Sequence, residues 1–167
     1  MKFFLSTCAA LVLTTTTTMA APVVQRELQV GASAIQRQLL SEVNLVRAAN
    51  GKPPLCLNTK LTASAQGHAA DMARGGFISA TGTGGTTPTV RATAQQFNSS
   101  SVGEIVGAGY TDASVAIKEW MSSPAYSVSV LGDYKYLGAG QAVNEAQTYK
   151  SFWVLDFDKD SVGEKCA

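Results

Sequence analysis

The chain carries one histidine, His68, within "LTASAQGHAADMA" and three residues ahead of Asp71. An imidazole is the side chain best suited to proton transfer near neutral pH, so His68 is the only candidate general base of that kind. Ser79 and Ser123 offer hydroxyls that could pair with it, but neither stands in a nucleophile-elbow sequence, so a serine triad has no motif behind it. Leu61, Ala65, His68 and Met72 fall on one face of the helix that this stretch predicts. His68 therefore reads first as a half-buried helix histidine bonded to backbone or to a neighbouring side chain, with a role at a cleft edge as the alternative. The glycines of "TGTGGTT" (residues 81–87) do not make a phosphate cradle, because no Lys-Ser/Thr pair and no strand-to-helix context follow them. A flexible rim is the better reading.

Residues 1–20 have the layout of a secretory signal peptide. Lys2 precedes the apolar "FFLSTCAALVL" (residues 3–13), and "TTTTTMA" leads to small residues with cleavage expected after Ala20. The apolar run falls short of the roughly 20 residues that cross a bilayer, so no transmembrane anchor is expected. The closing "GEKCA" lacks the hydrophobic tail of a cleaved lipid-anchor signal. Cleavage would remove Cys8 and leave Cys56 and Cys166, an even pair that in a secreted chain is most simply a disulfide, with two free buried thiols as the alternative. The bond would close a loop of about 110 residues and staple the C-terminal tail to the front of the domain, for roughly 4–5 kcal/mol of chain entropy. Lys2 is lost as well, so 13 basic residues become 12 against 12 acidic ones and the mature chain is formally neutral. With no basic stretch, neither nucleic acid nor an anionic membrane is expected as the main partner. Asn98-Ser99-Ser100 is an N-glycosylation sequon, usable only if its loop is exposed.

The elements that hold these residues follow from periodicity and breakers. At 167 residues, 46% hydrophobic and 15% charged, the chain is about one domain long and can bury one core. Residues 21–34 read as a short leader, with a single domain over 35–167. Ile35, Leu39, Val43, Val46 and Ala49 recur at helical spacing until Gly51 and "KPP" stop the helix. Asn58 is placed to cap a second helix over "TKLTASAQGHAADMAR", which Gly75 and Gly76 end. "ISATGTGGTTPT" (78–89) reads as mobile loop, "TVRATAQQF" as a short helical turn and "VGEIVGAGY" as strand-like. Thr111 or Asp112 caps "ASVAIKEWM", which Pro124 closes, and two strands follow, "YKYLGAGQAV" (134–143) and "SFWVLDFD" (151–158). Helices first and strands last, without a βαβ rhythm, predict an α+β fold with an antiparallel sheet.

Six stretches carry a family resemblance: "LLSEVNLVRAANGKPPL", "LTASAQGHAADMA", "FISATGTGGTTPTVR", "VGEIVGAGY", "WMSSPAYSVSVL" and "FWVLDF". In this order and spacing, over about residues 38–158, the chain resembles the CAP superfamily of cysteine-rich secretory, antigen 5 and pathogenesis-related proteins. The likeness is to the short, SCP-like extracellular branch. It implies a three-layer α–β–α sandwich with a central antiparallel sheet and a large open cleft. In that branch the cleft motifs resemble Phe-x-Ser-His-Thr-Gly, Gly-Glu-Asn and Trp-Met-x-Ser-Pro-x-His. By this resemblance "FISATG" puts Ala80 at the first histidine position, and "VGEIV" keeps the acid as Glu104 with Ile105 in place of asparagine. "WMSSPAY" puts Tyr126 at the second histidine position, and the further acid of longer relatives falls at Ser123.

A zinc or copper site needs imidazole, thiolate or carboxylate ligands converging on one point. A methyl, a phenol that ionises near ~10 and one carboxylate do not supply them. No metal, cofactor or catalytic residue is therefore expected at these positions. Glu104 is left either as a relic cleft carboxylate able to accept a ligand hydroxyl or, more plainly, as a cap for backbone N–H groups in "SVGEIVG". Tyr126 reads as a cleft wall, ring packed and hydroxyl toward solvent or ligand. The expected function is a secreted, extracellular, non-enzymatic binding module for a lipid, sterol or fatty-acid-like molecule. The alternatives are an effector-type module that binds an extracellular protein at a host or competitor surface through loops 78–101 and 144–150, and, last, a hydrolase.

Overall fold

The computed structural model describes residues 32–159 and 161–167; the expected signal peptide, Cys8 and most of the leader lie outside them. Helix α1 (Ala34–Ala49) starts one residue ahead of the apolar pattern because Ser33 and Gln36 cap it reciprocally, each side chain bonding the other's backbone N–H. Arg47, fully buried near its end, donates to the carbonyls of Pro53, Val130 and Gly132 and so ties three segments together. Strand β1 (Cys56–Leu57) precedes α2 (Thr59–Gly75). Asn58 caps α2 as expected, accepting from the N–H groups of Lys60 and Leu61. Then come α3 (Pro88–Ala94), β2 (Gly103–Ala108), α4 (Ala113–Ser122), α5 (Pro124–Val130), β3 (Tyr136–Val143) and β4 (Ser151–Asp158).

Of the two expected caps for α4 it is Asp112 that serves, because its carboxylate accepts from the N–H of Val115. One boundary differs from expectation. Pro124 does not simply close α4; it opens α5, where a first-turn residue has no intrahelical partner for an N–H and proline's fixed φ suits the helix.

The strands order as β1-β3-β4-β2. β2, β4 and β3 run antiparallel as expected, whereas β1 joins parallel to β3 with Cys56 opposite Tyr136. A two-residue strand carries no period-2 signal, so that parallel edge is invisible in sequence. Helices α1, α4 and α5 cover one face through Leu39, Val43, Ile117, Trp120 and Val130, which pack on Ile105, Leu137, Trp153, Leu155 and Phe157. Helices α2 and α3 cover the other, giving the three-layer α–β–α sandwich. On that second face β3 presents Gly138 and Gly140, where any Cβ would collide with the backbone carbonyls of Leu61 and Ala65. Helix α2 thus lies directly on the strand backbone. Cys56 and Cys166 form a disulfide across 110 residues, with Cα atoms 5.5 Å apart. Beside it Tyr136 donates to the Glu164 carbonyl and Asn58 to the Glu164 carboxylate and the Lys165 carbonyl.

Candidate functional site

Alternation along β2 turns Val106 and Ala108 toward α2 and Ile105 toward α4, so Glu104 enters the α2 layer. Its direct cross-strand partner is Asp156. The Glu104 side chain is 1% exposed. Its Oε2 accepts from Arg91 Nη2 at 2.6 Å, and its Oε1 lies 3.7 Å from His68 Nε2. The same Arg91 nitrogen donates to the Ala80 carbonyl at 3.0 Å, and Arg91 Nη1 donates to the Thr86 carbonyl at 2.7 Å. Glu104 therefore does not cap the N–H groups of its own turn, nor does it stand free. It neutralises the arginine that fastens residues 80–86. Sequence reasoning passed over Arg91, although it is the only basic residue between Arg74 and Lys118 and sits beside a buried-helix pattern.

His68 is fully buried on α2, with Nε2 2.8 Å from the Ser79 carbonyl. A carbonyl only accepts, so Nε2 carries the hydrogen and Nδ1 is left bare and without a partner. Burial holds the imidazole below its ordinary value, outweighing the pull of the Glu104 carboxyl in the other direction. Asp71, three residues on, accepts from the Thr83 N–H at 2.8 Å and from its hydroxyl at 2.9 Å. Partial desolvation raises its carboxyl, but the bonds from Thr83 and Arg74 bring it below the usual range. Gly82 packs against this pair: a Cβ there would stand 2.6 Å from Thr86 Oγ1 and 3.2 Å from His68 Nδ1. The loop expected to be a mobile rim is thus held by His68 at Ser79, by Asp71 at Thr83 and by Arg91 at Ala80 and Thr86. Of its glycines, Gly82 answers to tight packing, whereas Gly84 and Gly85 take positive φ, 71° and 77°, with open space where a Cβ would stand.

Asp156 is wholly buried in the middle of β4, where "FWVLDF" looks apolar. Its polar neighbours are the Glu104 carboxyl and the Ser64 hydroxyl. Desolvation, reinforced by the Glu104 charge, pushes its carboxyl well above the usual range.

The remaining matched positions lie elsewhere. Ala80 is exposed and reaches Glu104 only through Arg91. Ser123 joins α4 to α5, and its carbonyl accepts from the N–H groups of Tyr126 and Ser127. Tyr126, on α5, is 41% exposed and adjoins Tyr110. The Tyr110 ring covers Gly107, which points away from Glu104's face of β2, and meets Trp120 edge-on at 5.7 Å. Burial raises the Tyr110 hydroxyl, helped by Tyr126 and Glu119. The structure thus gathers His68, Arg91, Glu104 and Asp156, and sets Tyr126 with Tyr110. Among the described residues no three His, Cys, Asp or Glu side chains converge as metal ligands, and no helix is long and apolar enough to cross a membrane. Asn98 is exposed and lines a pocket of about 570 Å³ in which Asp158 accepts from Ser99 and Ser161.

The sandwich and the order of its motifs define a CAP-type domain, and comparison bears this out. The chain belongs to the cysteine-rich secretory protein (CAP) family, whose model matches residues 40–157. Among solved structures it is similar to an extracellular SCP-domain protein of Bacillus anthracis, at 21% identity and a TM-score of 0.66 over 75% of this chain. The chain spans only 40% of that Bacillus protein. An outer surface protein of Borrelia burgdorferi matches at 23% identity and a TM-score of 0.65, over 75% of this chain and 92% of its own. A cysteine-rich secretory protein of Staphylococcus aureus matches at 16% identity and a TM-score of 0.54, over 77% of this chain and 40% of its own. No curated protein sequence matches the chain.

Proposed function

We propose that the chain is a secreted, non-enzymatic binding module for a lipid- or sterol-like molecule. The observation that carries the non-enzymatic part is the fate of Glu104. The one acid kept at a family cleft position is bound to Arg91, and the positions expected for imidazoles hold Ala80 and Tyr126. A general base needs an accessible lone pair, and neither Glu104 nor the buried His68 offers one to a substrate. The amphiphile reading draws on Tyr126 and Val128 of α5, 41% and 68% exposed, which present apolar surface with one hydroxyl. Delipidated protein incubated with sterols and fatty acids is expected to retain one of them in native mass spectrometry. A spectrum showing only ligand-free protein sinks the reading. Assay against peptide and ester libraries, with and without chelator, is expected to give equal background rates for the native chain and Glu104→Gln.

A second reading, an interaction module for an extracellular protein, draws on the exposed Ile78 and Val90 near the rim and Tyr149 in the 144–150 loop. A pull-down from cell surfaces that is unchanged when these three are replaced by serine removes it. In a glycosylating secretory host, Asn98 is expected to carry a glycan, seen as a mass shift lost in Asn98→Gln.

A further inference from the structure

Glu104 and Asp156 stand directly opposite each other on β2 and β4 and point into the same layer. Both side chains are buried, at 1% and 0% exposure. If both were ionised, Glu104 Oε1 and both Asp156 oxygens would be acceptors that make no hydrogen bond among the described residues, and the neighbouring Ser64 hydroxyl has one hydrogen to give. The surrounding charges do not balance two anions either. Helix α2 supplies the neutral His68 and the Ser64 hydroxyl, α3 supplies Arg91, and β3 offers only Gly138 beside Asp156. Arg91 is already engaged with Glu104 Oε2. One proton resolves both problems, turning two facing acceptors into a donor and an acceptor and leaving one carboxylate for one guanidinium.

We propose that in the folded chain at neutral pH Glu104 and Asp156 hold a single proton between them, carried by Asp156 and donated to Glu104, so that with Arg91 they form a charge-neutral buried unit. The inference stands apart from the ligand reading above. The direction in which burial and Glu104 move the Asp156 carboxyl agrees with it. A carboxyl whose folded value is raised takes up a proton on folding. Its stabilisation is full below the unfolded carboxylate range, near ~4, and is lost as pH rises toward the folded value, by up to about tenfold in the folding constant per pH unit. His68 slopes oppositely, because its folded value is lowered: its contribution is present above about 6.5 and lost as pH falls below that.

The test is urea unfolding of the native chain and Asp156→Asn between pH 4 and 9, with infrared spectra of the folded proteins at pH 7. Asparagine keeps the shape and a donor toward Glu104 but cannot ionise. The variant is expected to lose the alkaline decline, and the native chain to show a protonated-carboxyl C=O stretch that the variant lacks. Parallel stability curves, or a native spectrum without that band, overturn the proposal. Should Asp156→Asn not fold, Glu104→Gln decides through the same spectrum. Burial still keeps Asp156 protonated in that variant, but an amide replaces the carboxylate it donates to, so the band is expected to shift; a band at the native frequency shows that Glu104 is not the partner.

Discussion

The two faces of the sheet are buried to a similar degree and built on opposite rules. Toward α1 and α4 the sheet offers Ile105, Leu137, Trp153, Leu155 and Phe157, and the helices answer with Leu39, Val43, Ile117 and Trp120. Cohesion there comes from volume. Toward α2 the helix brings Ala65, Ala69 and Ala73, and β3 brings Gly138 and Gly140, so those two backbones touch, with Leu61, Met72, Phe152 and Val154 packed to either side. Between the two apolar clusters of this face the packing gives way to His68, Arg91, Glu104 and Asp156. The difference teaches that the face with less hydrocarbon is the one that fixes geometry. It sets where α2 sits and anchors the 78–91 rim, while the other face supplies the bulk of the core.

Breaking each face in its own way tests this. Trp120→Ala removes the largest anchor of the bulky face together with its N–H bond to the Val106 carbonyl. It is expected to cost about 3–5 kcal/mol in urea unfolding while leaving amide exchange of residues 79–86 unchanged relative to global opening. Glu104→Ala leaves Arg91 without its counter-charge and is expected to cost about 3 kcal/mol, with protection of residues 79–86 lost first. If both variants expose the rim equally, the division between the faces is wrong. Gly140→Ala adds a single methyl between α2 and β3 and is expected to cost about 1–3 kcal/mol, although alanine is the better strand residue in isolation. His68→Gln has the smallest effect: it keeps a donor for the Ser79 carbonyl and removes the titration. Because the folded imidazole is held low, the native chain should lose stability as pH falls below about 6.5, and the variant should not. Equal slopes from pH 7 to 5 would show that His68 is not the group responsible.

Much of the fold could be read from sequence because local signals agreed with global ones. β4 (Ser151–Asp158) matches its expected span residue for residue, and Asn58 caps α2 from the position its type suggested. What escaped were partnerships between distant residues. Asp156 sits between Leu155 and Phe157, and nothing in that run distinguishes a buried acid from an outward-facing one. Arg91 and Glu104 are 13 residues apart with a strand boundary between them, so no periodicity links them. Gly82 read as freedom because sequence shows the missing side chain but not the imidazole and threonine that fill its space. The resemblance pointed to Ala80, Glu104 and Tyr126 but gave no sign of the arginine that occupies Glu104.

The disulfide has a consequence for kinetics. Its cysteines lie 110 residues apart, and chance closure of so long a loop is rare compared with the short-range contacts that build α2 or the β3–β4 pair. The two cysteines are therefore expected to meet only once the sandwich has assembled around them, so their contact forms too late to guide folding. A cross-link between positions still apart at the barrier constrains the unfolded chain and the barrier alike, so it leaves the rate of folding nearly untouched and slows escape from the folded state. Stopped-flow measurements with and without reductant should find it as a catch on unfolding: the unfolding limb moves and the refolding limb stays in place.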